Sequence, residues 1–397
     1  MQDQVKHYLT ITGGYWAFTI TDGAIRMLVV LYFHLLGYSP LEVAMLFLFY
    51  EFFGIVTNLV GGWLGARIGL NRTMHIGMGL QIGALAMLTV PESMLSVAYV
   101  MLAQAISGIA KDLNKMSAKA SVKTIAADAD GRLFKWVAGL TGSKNALKGA
   151  GFFIGAALLE WTDFRTTLWI LSGTLAGVFL VTLILLPSGI GKSGARPKFS
   201  QVFSNSPAIN WLSAARFFLF GSRDVWFVVG LPVFLYDILG WSFTQVGGFI
   251  ALWIMGYGIV QAGAPRLIRA TRPGGASARA LAFALALIPA AIALGLADDY
   301  DPAAVLITGL LVYGAVFALN SSVHSYLVLA YSDHERVSMN VGFYYMANAG
   351  GRLTGTLLSG LVYQAQGLEG CLWWSAGFLL AAGLLSFRLP ANHRPAS

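Results

Sequence analysis

The chain has 397 residues, of which 57% are hydrophobic and 11% are charged, and its formal net charge is +8. Soluble domains usually carry about a quarter charged residues, so this composition excludes an ordinary soluble protein and predicts a surface that mostly faces lipid. The single cysteine, Cys371, excludes an internal disulfide framework and a multi-thiolate metal site.

Apolar runs and the polar breaks between them predict twelve membrane-spanning helices, since roughly 20 apolar residues cross a hydrocarbon core. The predicted spans lie near residues 13–36, 42–65, 73–91, 94–122, 133–159, 166–187, 208–237, 242–264, 278–297, 303–330, 338–363 and 370–389. The first of them carries Asp22 and Arg26 and lacks a small-residue cleavage site, so we interpret it as a span and not as a signal peptide. A polar stretch from Ser188 to Ser206 separates two sets of six.

Basic residues in the predicted loops lie almost entirely on one side of the membrane, which predicts that both termini are cytoplasmic. The other side carries Arg165 alone, together with several acids. The charges are split among short turns with no basic face, so nucleic-acid binding is excluded. We predict an N-terminal six-helix bundle at 1–187, a cytoplasmic linker at 188–207 and a C-terminal six-helix bundle at 208–397.

The two halves share features at a nearly constant spacing. A Gly-aromatic-Ser motif at 37–39 recurs at 240–242. The series Arg132, Lys148 and Gly151 recurs as Arg336, Arg352 and Gly355. Such matches at the same loop and depth are typical of carriers built from parallel repeats.

The segment GWLGARIGLNR at 62–72 resembles the loop 2–3 signature of the major facilitator superfamily, with Ala66 where that superfamily usually has an acid. The resemblance implies an all-α integral membrane fold of twelve helices in two pseudo-symmetric six-helix bundles, and a transport function. Ala66 weakens the charge-relay interpretation of this loop. The candidate gating residues in the basic loops are Arg67, Arg72, Arg132 and Arg336.

Ionisable groups inside the spans are informative because each is costly in the membrane unless it faces a cavity or a partner. The predicted deep cations are Arg26, Lys111, Lys115, Lys144, Lys148, Arg223 and Arg352, and the deep acids are Asp22, Glu51, Asp112 and Asp224. We set Arg216 aside as interfacial, and we expect Lys119 and Lys123 to reach the headgroups. An excess of about three buried positive charges predicts a polyvalent anion as substrate.

Several roles remain open at this point. One alternative is that two structural pairs are present, Asp22 with Arg26 and Arg223 with Asp224. The other is that the acids Asp22, Glu51 and Asp224 couple transport to protons. Lys148 and Arg352, matched in the two repeats, are predicted to clamp two ends of a small dianion. Candidate lining residues of the pathway are His324, Tyr344 and Asn348. For His324 the alternative is a satisfied interior histidine, which is the more common role of such a residue.

Segments 14–30, 46–54, 107–119 and 142–149 look like ArsJ-type organoarsenical efflux carriers. The resemblance implies a bacterial inner-membrane permease that exports 1-arseno-3-phosphoglycerate, which a partner glyceraldehyde-3-phosphate dehydrogenase makes from arsenate. A cationic, two-ended site suits that substrate. Trivalent arsenic prefers thiolates, so a chain whose single cysteine is Cys371 is not expected to carry arsenite.

Two other functions remain open: an organophosphate or phosphate exchanger, and a transport-dead membrane sensor of phosphorylated metabolites. An enzyme is disfavoured because no nucleophile–base set, metal-ligand set or nucleotide-binding glycine motif stands out. We therefore predict no cofactor, a small anionic substrate, a lipid environment and a monomer.

Overall fold

The computed structural model describes residues 2–36, 46, 48–125, 132–187, 203, 206–228, 230–241, 243–268, 273–298, 300–333 and 336–390. The first Gly-aromatic-Ser motif and nearly all of the predicted linker lie outside these residues, so the domain boundary at 188–207 stays a prediction. The side chains of Lys123 and Arg132 also lie outside the described part of the chain.

The described chain is built from long helices, which confirms the predicted all-α fold. The helices are α1 (Gln2–Leu35), α2 (Leu48–Ile68), α3 (Leu70–Met87), α4 (Val97–Ile125), α5 (Arg132–Trp161), α6 (Phe164–Leu185), α7 (Pro207–Phe227), α8 (Phe243–Leu267), α9 (Gly275–Ala297) and α10 (Pro302–Ala330). The last helix, Val337–Leu385, is interrupted at Gly367, where φ is 65°. We number its two parts α11 (337–366) and α12 (368–385).

Two boundaries differ from the prediction. Helix α1 begins at Gln2 and not near residue 13, because its polar first turns are helical as well. The predicted seventh span breaks after Phe227, and a short helix, Gly230–Val233, and a π turn, Phe234–Ile238, follow. Pro232 explains the break, since it has no N–H to donate to the carbonyl of Val228.

The turn between α2 and α3 lies in the segment that resembles the superfamily signature. Gly69 has φ of 101°, a left-handed conformation that favours glycine. Gly62 lies against residues of α11, since a Cβ there would be 2.8 Å from the Ser338 carbonyl oxygen. The glycines of this segment therefore shape the turn and permit close helix packing.

Packing divides the chain into two compact units. Unit 1 comprises residues 1–127, 143–204 and 333–346, and unit 2 comprises residues 128–142, 205–332 and 347–397. The core of unit 1 includes Phe33 and Leu168, and the core of unit 2 is rich in aromatic rings such as Trp226 and Tyr313.

Each unit contains a close glycine crossing. In unit 1, α1 meets α5, where a Cβ on Gly23 would lie 2.7 Å from the carbonyl oxygen of Lys148. In unit 2, α7 meets α11, where a Cβ on Gly355 would lie 2.6 Å from the carbonyl oxygen of Gly221. These crossings bring charged side chains of neighbouring helices within reach of each other.

The outward-facing side chains are apolar, as a lipid environment requires. Ile184 is 82% exposed and Leu287 is 71% exposed. Within the described residues, five helices are long and apolar enough to cross a membrane by length and composition alone: Phe164–Leu185, Gly248–Leu267, Gly275–Ala297, Pro302–Ala330 and Val337–Arg388. Most of the charged residues described next lie on the other long helices, and Arg352 lies on the Val337–Leu385 helix.

Candidate substrate site

The Asp22 carboxylate on α1 is a centre of contacts in unit 1. It is buried, and its Oδ1 accepts a hydrogen bond of 2.5 Å from the Tyr50 hydroxyl on α2. Its Oδ2 lies 3.7 Å from Nζ of Lys148 on α5. The glycine crossing of α1 and α5 places Lys148 beside Asp22. Asp22 therefore links three helices of the unit.

The Tyr50 ring and the neighbouring Glu51 hold two further cations. The Arg26 guanidinium lies 4.1 Å and the Lys111 ammonium 3.7 Å from the centre of the Tyr50 ring. Arg26 donates to Glu51 at 2.8 Å, and Lys111 lies 3.9 Å from the other Glu51 oxygen. The spacing of four residues on α1 made a pair between Asp22 and Arg26 a candidate. The structure pairs Asp22 with Lys148 and Arg26 with Glu51.

The lysines of α4 extend this cluster along one helix face. Asp112 contacts Lys115, and it lies 3.6 Å from Lys111. Lys115 and Lys119 lie 4.6 Å and 5.2 Å from the centre of the Tyr345 ring. Lys119 is only 5% exposed, so the prediction that it reaches the headgroups was wrong.

Helix α5 carries the remaining predicted cation of unit 1. Lys144 donates to Asn145 at 3.2 Å. The adjacent Ser143 accepts a hydrogen bond of 2.8 Å from the Trp16 indole on α1. We call Asp22, Arg26, Tyr50, Glu51, Lys111, Asp112, Lys115, Lys119, Lys144 and Lys148 the unit 1 cluster.

Unit 2 has a smaller cluster around Asp224 on α7. Asp224 is buried and contacts the neighbouring Arg223. Its Oδ2 also accepts a hydrogen bond of 3.1 Å from Nε of Arg352 on α11. The pair of Arg223 with Asp224, considered from the sequence, is present, and Arg352 joins it.

Arg216 was set aside as interfacial, and this was wrong because its side chain is only 3% exposed. Its Nε donates to the Asn348 amide oxygen at 2.8 Å, and its Nη1 donates to the Ser321 hydroxyl at 3.2 Å. The guanidinium lies 3.8 Å from the centre of the Phe220 ring. Arg216 precedes Arg223 by seven residues on α7, a spacing that places both on one helix face.

The two clusters contain equivalent ion pairs. In each unit an acid on the first helix of a repeat meets a cation on the fifth: Asp22 with Lys148, and Asp224 with Arg352. This agrees with the repeat of Lys148 and Arg352 seen in the sequence. The predicted clamp between these two cations, which belong to different units, stays a prediction.

The other candidates occupy varied positions. His324 and Tyr344 are buried, and Asn348 is the buried partner of Arg216. Tyr344 packs edge-on against Tyr345 at 4.9 Å. Of the candidate gating residues, Arg67 lies 5.2 Å from the Trp63 ring and is exposed, and Arg72 and Arg336 are exposed as well.

The balance of shielded charge is more positive than predicted. Among the described residues, four acids are buried or half-buried, and they are the four predicted ones. Nine cations of the two clusters are shielded in the same way: Arg26, Lys111, Lys115, Lys119, Lys144, Lys148, Arg216, Arg223 and Arg352. In each unit the shielded cations outnumber the shielded acids, so each cluster by itself offers N–H donors and net positive charge to an anion.

The fold and these clusters are those of a membrane carrier, and the sequence identifies its superfamily. The profile of the Major Facilitator Superfamily matches residues 11–338. The chain therefore belongs to this superfamily and is a multi-pass membrane transporter. Comparison with curated proteins finds no match.

Solved transporter structures share the fold over nearly the whole chain. The human organic anion transporter MFSD10 (TETRAN) superimposes with a TM-score of 0.78 at 17% identity, covering 96% of this chain and 99% of that one. The proton:xylose symporter XylE bound to 6-bromo-6-deoxy-D-glucose gives 0.78 at 12% identity, covering 97% and 95%. A bacterial homologue of the iron transporter ferroportin in the outward-facing state gives 0.72 at 16% identity, covering 96% and 98%. At these identities the likeness shows the fold alone.

Proposed function

We propose that this transporter exports a small polyanionic organoarsenical, 1-arseno-3-phosphoglycerate, by alternating access, and so confers resistance to arsenate. The anion would be made in the cytoplasm by a glyceraldehyde-3-phosphate dehydrogenase acting with arsenate in place of phosphate. The transporter would lie in a bacterial inner membrane with both termini in the cytoplasm, as the basic loops favour.

One observation carries the proposal. The four segments that resemble ArsJ-type carriers, at 14–30, 46–54, 107–119 and 142–149, supply every residue of the unit 1 cluster. In the fold these segments belong to α1, α2, α4 and α5, and their charged side chains contact one another. The resemblance is therefore concentrated in the cluster that we propose as an anion site.

The charge of the two clusters supports a polyanionic substrate. Nine shielded cations against four acids leave net positive charge that a substrate with several oxyanion oxygens would neutralise. A pentavalent organoarsenical is bound through its oxygens, which ammonium and guanidinium groups can donate to. The single buried cysteine, Cys371, offers no thiolate set of the kind that arsenite prefers.

The ion pairs suggest how the anion is accepted. A lone buried charge is strongly unfavourable, so Asp22 and Asp224 keep Lys148 and Arg352 neutralised when no substrate is bound. Within each unit an entering oxyanion would take over the cation, and the acid would keep its second partner: Tyr50 for Asp22 and Arg223 for Asp224. The exchange keeps each cation paired throughout.

The direction of transport follows from the membrane potential. With the cell interior negative, each negative charge that leaves gains roughly 2.3 kcal/mol per 100 mV, so export of a polyanion needs no further driving force. If protons are coupled, Asp22, Glu51 and Asp224 are the acids placed to carry them.

An organophosphate exchanger would use the same cations, and a growth assay separates the two functions. The gene is expressed in an arsenate-sensitive strain with and without the dehydrogenase. Export of the organoarsenical predicts resistance only when both proteins are present. Resistance that does not depend on the dehydrogenase, or no resistance with both, counts against the proposal, and phosphate-linked exchange in vesicles would then support the exchanger.

A further inference from the structure

The last three turns of α10 present a polar face inside unit 2. Asn320, Ser321, His324 and Ser325 fall within an arc of about 140°, given 100° of rotation per residue. Each is at most 1% exposed. A fully buried face of this polarity on an otherwise apolar helix requires partners for its hydrogen-bonding groups.

Most of those groups have none within the part of the chain that the structure describes. Neither amide atom of Asn320, neither ring nitrogen of His324 and not the Ser325 hydroxyl forms a hydrogen bond there. Leaving buried donors and acceptors unsatisfied is costly, so such groups mark a place where a ligand or water binds.

The face is opposite α7 at the level of Arg216. Ser321 accepts from Arg216, and one turn away the rings of Phe220 and Phe317 lie 5.2 Å apart. Because α7 and α10 run antiparallel in this register, the next turn brings Ser213 of α7 to the level of His324. The Ser213 hydroxyl is also buried without a hydrogen bond among the described residues.

The arrangement combines one fixed charge with several neutral donors. The Arg216 guanidinium is held in place by Asn348 and by Ser321, which lies on the same polar face as His324. An imidazole, an amide NH₂ and hydroxyl groups can all donate to one tetrahedral oxyanion. Donors of this kind around a guanidinium are suited to a phosphate group.

We propose that Arg216, Asn320 and His324 form a phosphoryl-binding subsite within unit 2. The inference rests on the proposed function, in which the substrate carries a phosphate at one end. It assigns that end to this subsite, and it adds Arg216 and Asn320 to the site residues predicted from the sequence, which already include His324.

The test measures binding of 3-phosphoglycerate and of glycerate, which lacks the phosphate, to the purified full-length transporter. His324→Leu and Asn320→Leu each remove donors and are expected to weaken binding of 3-phosphoglycerate at least about tenfold, with little change for glycerate. His324→Gln keeps a donor and should retain most of the affinity. His75→Leu on α3 of unit 1, a half-buried histidine, is the matched control and should bind as the native protein does.

An unchanged affinity for 3-phosphoglycerate in both leucine variants overturns the subsite, and water would then be the partner of the polar face of α10. Equal losses for the two ligands also overturn it, since the effect would not follow the phosphate. If a leucine variant fails to fold, Asn320→Ala and His324→Ala provide the same comparison. A third result is that the leucine variants lose the preference for 3-phosphoglycerate while the growth assay shows no arsenate resistance. This result would keep the subsite and refute the proposed substrate, so the two failures are distinguishable.

Discussion

The Lys148 ammonium on α5 lies 3.7 Å from the Asp22 carboxylate on α1. Its counterpart in unit 2 is the hydrogen bond of 3.1 Å from Arg352 to Asp224. The same cations are candidate substrate ligands, so an alanine substitution at either position mixes a folding effect with a binding effect. Experiments on this protein need to separate the two.

Asp22→Asn and Lys148→Met each leave one buried charge without this partner, and each should destabilise the protein by about 3–5 kcal/mol. The double variant Asp22→Asn/Lys148→Met removes both charges and should recover most of the lost stability. Thermal unfolding of the purified transporter in one detergent measures all three.

The double variant also tests function. It should fold and insert normally yet confer no arsenate resistance, because the substrate loses Lys148. Full resistance in this variant would remove Lys148 from the site. A double variant as unstable as either single variant would show that the pair does not hold the helices together.

Tyr50 should show graded effects because it acts in two ways. Tyr50→Phe removes the hydrogen bond to Asp22 and should lower the free energy of unfolding by about 1.5–3 kcal/mol, since the acceptor is charged. Tyr50→Leu also removes the ring that lies against Arg26 and Lys111, and should cost more. Equal unfolding midpoints for the two variants would show that the ring contacts contribute nothing.

The crossing of α1 and α5 should not tolerate a side chain at Gly151. A Cβ there would lie 2.5 Å from the backbone oxygen of Ile20, so Gly151→Ala should cost about 1–3 kcal/mol by overpacking. Gly173→Ala on α6 is the matched control, since nothing lies within 4 Å of its Cβ position. A control as unstable as Gly151→Ala would rule out the crossing as the cause.

Asp163, in the connection between α5 and α6, should make stability depend on pH. The Thr166 hydroxyl, and then the backbone N–H groups of Thr166 and Arg165, lower its pKa below the ordinary value of 3.8. A lowered pKa means that these hydrogen bonds to the Asp163 carboxylate stabilise the fold above pH 3.8. The stabilisation is lost as the pH falls further and the carboxylate is protonated. The unfolding midpoints of the native protein and Asp163→Ala should therefore differ more at pH 7 than at pH 3. A difference independent of pH would contradict this.

Much of the fold could be predicted from the sequence because apolar runs of spanning length are a strong signal. The repeat predicted that Lys148 and Arg352 are equivalent, and both take part in equivalent pairs. Hydropathy could not predict that α1 begins at Gln2, since its polar first turns resemble a loop. It also could not separate α7 from the short helix Gly230–Val233, which contains Pro232.

The partners of the charged residues were harder to predict. A spacing of four residues made Arg26 the nearest expected partner of Asp22, but the glycine crossing placed Lys148 there instead. Arg216 was missed because it lies near the start of a span, where lipid headgroups were the expected surroundings. Its spacing of seven residues from Arg223 places both side chains on one helix face, and this indicated that Arg216 faces the protein interior as Arg223 does. Tyr50 gave no signal beyond its position next to Glu51.

Export of 1-arseno-3-phosphoglycerate is tested most directly by measuring transport into everted membrane vesicles. Vesicles that contain the transporter are mixed with arsenate, glyceraldehyde 3-phosphate, NAD⁺ and the dehydrogenase, and the arsenic inside them is measured by mass spectrometry. If the transporter exports this anion, arsenic uptake should require the dehydrogenase and all its substrates, and it should be lost in the folded double variant Asp22→Asn/Lys148→Met. Uptake of arsenic without the dehydrogenase, or no uptake by vesicles with folded native transporter and the complete mixture, would contradict it.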